Sequence, residues 1–546
     1  MKKMKRYYKK SMCVIAAAVL LGASACTKNF ELYNTDNTGI SPDDLKGDFN
    51  DVGAFLTRAQ RSIINFSDGG DPNSYQLQQN LNADCYSGYF MSPNPFNGGQ
   101  NNLSYSLISG WNGEPFKVGY LNIMSSVNRL RVNGVNTSYP AVWGIAQILQ
   151  VAGMSRITDI YGPIPYSQVG TSKSAIPYDS QEDVYKRFFL ELDSANINLR
   201  NQINHVTDSL PFDFAKFDLV YDGDFSRWLQ FSNSLRLRLA MHIVKVAPAV
   251  AKEQAEKAMD PANGGLITSN TGNMKVKVAG SGFSNPLVFI ALNWADIRIG
   301  ASIQSYMTGY ADPRISKYFD MSTDTTFSSR YQGIRIGSVG GNAAKGDYTG
   351  YSNLDVTGTN PSFTLTTPTQ VMTAAEVYFL RAEASLRGWA NAGGSVQTLY
   401  EQGINTSMEQ WNVNAGTYVN DNTHKPAGFT DPKNSAANAP APSEITVKWD
   451  DGALEAVKME RIITQKWIAM FPEGQEAWTE FRRTGYPKLF PVVNNFSGGV
   501  INSTTQIRRL PFPQNEYNTN NPEVQKAITL LNGPDNGATR VWWDVQ

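Results

Sequence analysis

Apolar positions recur along this chain at helical spacing. In DVYKRFFLELDSANINLR they fall at Val184, Phe188, Leu192, Ala195 and Leu199, steps of four and three that gather them on one face of a helix. AVWGIAQILQVAGMSR repeats the stripe at Val142, Ile145, Leu149 and Ala152. DFSRWLQFSNSLRLRLAMHIVKVAP does so at Trp228, Phe231, Leu235 and Leu239, with Pro248 expected to stop that helix. Two more helices are predicted in AAEVYFLRAEASLRGW, closed by Gly388, and in ALEAVKMERIITQKWIAMF. The latter is striped at Leu454, Val457, Thr464, Ile468 and Phe471 and closes near Pro472. Each helix buries one side and needs a neighbour to bury it against. Such pairs suggest tetratricopeptide-type packing, although neither a period of about 34 residues nor an intact repeat signature is present. The predicted fold is therefore mainly α: a superhelix of degenerate tetratricopeptide-like helix pairs, with a loop-rich remainder and a few short β-strands. Two long stretches rich in Gly, Asn, Ser and Pro, Ser322 to Thr367 and Val413 to Ser443, are expected to hold short strands or to form a cap.

The N-terminus follows a different pattern. MKKMKRYYKK carries six basic residues and no acidic one, and Met12 to Ala25 is apolar but short for a bilayer span. Small residues then lead into Cys26, so 1–25 reads as a lipoprotein signal peptide and Cys26 as the acylated residue. LGASAC has Ala23 where the usual lipobox pattern prefers Leu. A polar tether over 26–48 then feeds a single domain over 49–546. Loss of the signal removes Cys13, and acylation uses Cys26, which leaves Cys85 without an intrachain disulfide partner. Stability has to come from a core. Cleavage also turns 48 basic against 48 acidic residues into 42 against 48, a mildly acidic balance with no basic stripe for a nucleic-acid partner. Several acyl chains on one cysteine would anchor far better than a single chain.

Local catalytic signatures are lacking. His205, His242 and His424 are not at metal-ligand spacing from one another, and HExxH, paired CxxC and GxSxG are missing. GNAAKGD, Gly341 to Asp347, spaces its glycines like a phosphate loop but puts Asp347 where the lysine belongs, and a carboxylate there repels phosphate. Cys85 reads as a buried free thiol, and SDGGDPN with Asp68 and Asp71 as a solvated turn rather than a calcium loop. No cofactor, metal or catalytic residue is assigned. Aromatic residues are more informative. The chain has 11 Trp, 25 Tyr and 26 Phe, and flat rings with a polar edge suit sugar rings. Several sit in loop-like settings, among them Tyr86, Tyr89 and Phe90, Trp111 in SGWNGEP, and Trp294 in ALNWADIR.

A lipobox cysteine followed by TKNFE and an Asn-rich tether resembles the start of SusD/RagB-type outer-membrane lipoproteins of Bacteroidetes. Blocks in the same order continue the likeness: ITDIYGPIPYS at 157–167, YDGDFSRWLQFSNSLRLRLAMHI at 221–243, MTGYADPRISKYF at 307–319, YQGIRIG at 331–337 and TAAEVYFLRAEASLRGW at 373–389. ITQKWIAMFPEGQEAWTEFRRTGYPKL at 463–489 and RRLPFPQNEYNTN at 508–520 complete them. The resemblance implies a lipid-anchored protein of the outer membrane, facing the cell surface. It would capture an oligosaccharide nutrient and close as a lid over a SusC-like TonB-dependent transporter, without catalysing a reaction. A peptide ligand, or a surface glycoside hydrolase, are the other readings. In the family the ligand site is built from loops of the N-terminal half and a mid-chain loop. This implies Tyr86, Tyr89, Trp111 and Trp294 as stacking residues, with Asp84 and Asn112 bonding the ligand's rim. ITDIYGPIPYSQ, whose Gly162, Pro163 and Pro165 stop a helix sharply, reads as scaffold rather than as a binding lip.

Overall fold

A computed structural model describes residues 46–66, 72–171, 175–205, 210–278, 280, 282–341 and 343–545. The expected signal peptide, Cys26, all but the last residues of the tether and the Asp68/Asp71 turn lie outside the described residues. The chain divides into Met1–Asp51 and a compact unit Val52–Gln546; of the former only 46–51 are described.

The principal helices are α1 (Asn50–Ser62), α2 (Ser109–Val118), α3 (Pro140–Tyr161), α4 (Gln181–Asn204), α5 (Phe225–His242), α6 (Pro248–Met259), α7 (Ala374–Leu386), α8 (Val396–Gln410), α9 (Glu455–Met470) and α10 (Gly474–Thr484). Their starts follow from side-chain caps. The Ser180 hydroxyl accepts from the Asp183 N–H, Asp224 from the N–H groups of Ser226 and Arg227, Thr373 from Glu376, and Ser395 from Thr398. α3 opens on Pro140 and ends at Gly162, whose φ of +81° lets the chain leave the helix axis. Successive neighbours pack in pairs, α3 on α4, α4 on α5 and α5 on α6, then α7 on α8 and on α9. This is the predicted helix-pair superhelix.

The predicted stripes of α3, α4 and α5 are buried throughout. Two details differ. Pro248 does not stop α5, which ends at His242; it starts α6, where the first-turn N–H that proline lacks would have no partner anyway. Leu454 is 78% exposed and precedes α9, so the buried stripe of that helix begins further along. Among the described residues six short strands pair in antiparallel twos: β1 (Phe90–Met91) with β5 (Arg298–Ile299), β2 (Ile164–Pro165) with β3 (Tyr178–Asp179), and β4 (Met274–Val276) with β6 (Thr369–Met372). The two long loops hold isolated bridges rather than strands, and they pack on each other. Tyr351 donates to Asp431 at 2.6 Å, and Lys433 pairs with Asp324 at 2.5 Å and donates to the Asp347 carbonyl at 2.7 Å.

Candidate functional site

Three of the six expected ligand residues lie in the core. Asp84, Tyr86 and Tyr89 are at most 1% exposed. Asp84 sits on the short helix Ala83–Tyr86, which packs on α10, and accepts from the Tyr75 hydroxyl at 2.9 Å and the Gln79 amide at 2.8 Å. Burial raises its pKa to about 6, partly offset by these bonds. Tyr86 packs its ring 5.2 Å from Trp478, and Tyr89 lies 5.3 Å from Trp467 and donates to the Trp467 carbonyl. These groups spend their faces and polar tips inside the protein, so in this structure none of them offers a stacking surface to a ligand. Asn112 is also buried; its side chain accepts from Asn102 at 2.9 Å and its carbonyl from the Tyr161 hydroxyl. It ties α2 to ITDIYGPIPYSQ, whose Tyr161 and Tyr166 are buried and whose Tyr161 carbonyl accepts from Arg509 at 2.9 Å. That segment is scaffold.

Trp111 and Trp294 are half-buried, and a run of contacts links the segments that carry them. Trp111, in the first turn of α2, meets the Phe96 ring edge-on at 5.5 Å. Two residues earlier, the Asn94 amide donates to Asp296 at 3.3 Å, and Asp296 also accepts from Gln76 at 3.3 Å and forms an ion pair with Lys345. Lys345 donates to the Trp294 carbonyl at 2.6 Å, while the Trp294 ring packs edge-on against Phe289 at 5.8 Å. Ala295, with φ of +49°, turns the chain between Trp294 and Asp296. The outcome is a run of contacts, carried mostly by loops, that joins half-buried aromatic rings to amide, carboxylate and ammonium groups. Phe96, Asn94, Asp296 and Lys345 were not singled out from the sequence. Asp296 stands two residues from Trp294, and Lys345 lies within the GNAAKGD segment rejected as a phosphate loop.

Elsewhere, His242, Glu476 and Glu480 bring ligand-type atoms within 4.8 Å of one another. Their charges are already balanced by protein groups. The His242 ring donates from Nε2 to Glu476 at 3.0 Å and turns Nδ1 toward the Tyr185 oxygen at 2.9 Å and Asp159 at 3.3 Å. Tyr185 gives its own proton to Asp159 at 2.7 Å, so both ring nitrogens act as donors and the ring is an imidazolium. Burial pulls its pKa down, but Glu476 and Asp159 outweigh burial and lift it to about 9. Around it Arg238 chelates Glu376 at 2.6 and 2.7 Å, Arg483 chelates Glu383 at 2.7 and 2.8 Å, and Lys466 lies 3.3 Å from Glu480. A metal would have to displace the ring protons; the cluster is an ion network inside the helix stack.

Paired helices that carry their chemistry on long ordered loops define a tetratricopeptide-like superhelix with a loop-built face. The model of the SusD-like family, described as Susd and RagB outer membrane lipoprotein, matches residues 32–544, and the chain belongs to that family. Among solved structures, a chitin-binding SusD homologue from Flavobacterium johnsoniae is 42% identical, with a TM-score of 0.83 over 91% of this chain and 99% of that one. A SusD homologue from Bacteroides uniformis is 37% identical, with a TM-score of 0.80 and coverages of 91% and 99%. One from Bacteroides vulgatus is 35% identical, with a TM-score of 0.83 and coverages of 92% and 99%. No curated protein matches the chain. Among the described residues no helix is long and apolar enough to cross a membrane.

Proposed function

We propose that this protein is a lipid-anchored surface binder that captures a glycan on the Trp111–Trp294 face and passes it to a SusC-like TonB-dependent transporter, over which it closes. The observation that carries the reading is the run of contacts that joins the half-buried rings of Trp111 and Trp294 to the Asn94–Asp296–Lys345 group. Sugar rings present C–H faces to such rings and hydroxyls to such polar groups. The 42%-identical relative described as chitin-binding supports β-linked N-acetylglucosamine oligomers as the first ligand to try. The role is binding without turnover, Cys26 carries the acyl chains, and the domain begins near residue 49. Calorimetric titration with chitohexaose, and with maltohexaose as comparison, tests the site. Trp111→Ala and Trp294→Ala should each weaken chitohexaose binding about tenfold, a loss of about 1.4 kcal/mol, with little change in melting temperature. Unchanged affinity in both variants would overturn the placement. Co-purification with a large outer-membrane barrel tests the partner.

A further inference from the structure

A second cavity, of about 310 Å3, opens between the β4/β6 pair and the loops around Pro286, Phe363 and Pro472. In β4 Met274 and Val276 are buried in the core, at 0% and 1% exposure, while Lys275 between them, where the register with β6 shifts, is half-buried and lines the cavity. Lys317, on the turn Ile315–Tyr318, lines the same space. Both lysines are half-buried, and among the described residues neither pairs with a carboxylate. Burial alone lowers the pKa of Lys275, with no acidic group to offset it.

Three polar side chains that line the cavity, Glu473, Gln370 and Asn285, are already engaged, while the buried Thr369 hydroxyl and Trp411 indole N–H have no partner among the described residues. Glu473 is paired with Arg156 at 3.0 Å and caps α10 through the N–H groups of Gln475 and Glu476. The Gln370 amide donates to the Met470 carbonyl at 3.1 Å, and its oxygen accepts from Gln410 at 2.8 Å. Asn285 donates to the Thr367 carbonyl at 2.8 Å and accepts from the Val288 N–H at 3.2 Å. The cavity therefore has surplus positive charge and no free carboxylate, while Ile64, Leu287 and Phe363 give it apolar walls. Ammonium groups held partly out of water without counter-charges are costly unless an anion joins them.

The geometry points to a binding site for a small carboxylate on a carbon body, of the size of a sugar acid, held by Lys275 and Lys317. Lysine supplies a point charge that either a carboxylate or a phosphate can meet, and the apolar walls suit a ligand with a carbon body rather than a bare inorganic anion. The site shares no residue with the Trp111–Trp294 face.

The test is calorimetric titration of the whole lipoprotein in detergent with D-glucuronate, D-glucose and inorganic phosphate. D-glucuronate should bind saturably, D-glucose and phosphate should not, and Lys275→Met should weaken glucuronate binding at least tenfold. Lys317→Met provides an independent second variant with the same expectation, and both are compared at unchanged circular dichroism. Trp111→Ala and Trp294→Ala should leave glucuronate binding as it is, so failure here and failure of the glycan site are read separately. Equal binding of glucose, binding of phosphate in place of glucuronate, no glucuronate binding, or unaltered affinity in a folded lysine variant would each overturn the assignment.

Discussion

Replacing His242 by glutamine removes the cation that sits between Asp159 and Glu476, and the cost should depend on pH. Folding lifts the ring's pKa from 6.5 to about 9. At about 1.4 kcal/mol per pKa unit, the imidazolium contributes about 3 kcal/mol to stability. The depression of Glu476 to about 2, where burial opposes but His242 and Arg238 prevail, is the same attraction felt by the other partner and is not added. Because the folded pKa lies above the unfolded one, the contribution is whole below pH 6.5, declines between 6.5 and about 9, and is lost above. Urea unfolding of both proteins followed by tryptophan fluorescence should therefore give a gap that narrows by about 3 kcal/mol between about pH 6 and about pH 10. Groups remote from His242 titrate alike in both proteins and cancel in the difference. A gap that stays constant over this range would refute the charged state of the ring and the balance assigned to the network.

Other expectations follow from single contacts. In Gly474→Ala the new methyl group would meet the Asp84 carboxylate and lie 2.5 Å from the Asp84 Cα, so thermal melting should reveal a loss of about 1–3 kcal/mol. Tyr89→Phe deletes the hydroxyl that satisfies the Trp467 carbonyl, and denaturant titration should show a loss of about 1 kcal/mol without loss of glycan binding. Lys345→Gln breaks the ion pair with Asp296; at 34% exposure of the lysine it should change stability by less than about 1 kcal/mol while lowering chitohexaose affinity. Cys26→Ala should abolish acyl labelling and release the protein from membranes.

The helix-pair architecture was legible because apolar spacing is a local property. Val184 to Leu199 announces its face within one helix, and the structure buries that face against α3 and α5. Distant pairings were not legible. Glu476, Glu480, Arg482 and Arg483 are polar in sequence, yet all are buried: His242, Lys466 and Glu383 from other helices pair with Glu476, Glu480 and Arg483, and Arg482 donates to the carbonyls of Asp159 and Arg508. The same blindness affected the site. Tyr86 and Tyr89 stand among glycines and prolines and look loop-borne, but Trp478 and Trp467, nearly four hundred residues on, cover them. Trp111 and Trp294 stay half-buried, packed against the edge of the core and roughly perpendicular to Phe96 and Phe289.

Trp543, fully buried, donates its indole N–H to Asp159 at 2.7 Å across 384 residues of chain. Nearby, Asp544 receives Arg508 at 2.7 Å, and the Arg508 carbonyl accepts from Arg482 over the Trp478 ring. An exported chain is threaded with its earlier residues leading, so α3, α5 and even α10 emerge before the residues that seal their charges. The charge cluster is thus closed from the far end of the sequence, and a chain shortened by its last few residues would leave Asp159 and Arg508 without these partners.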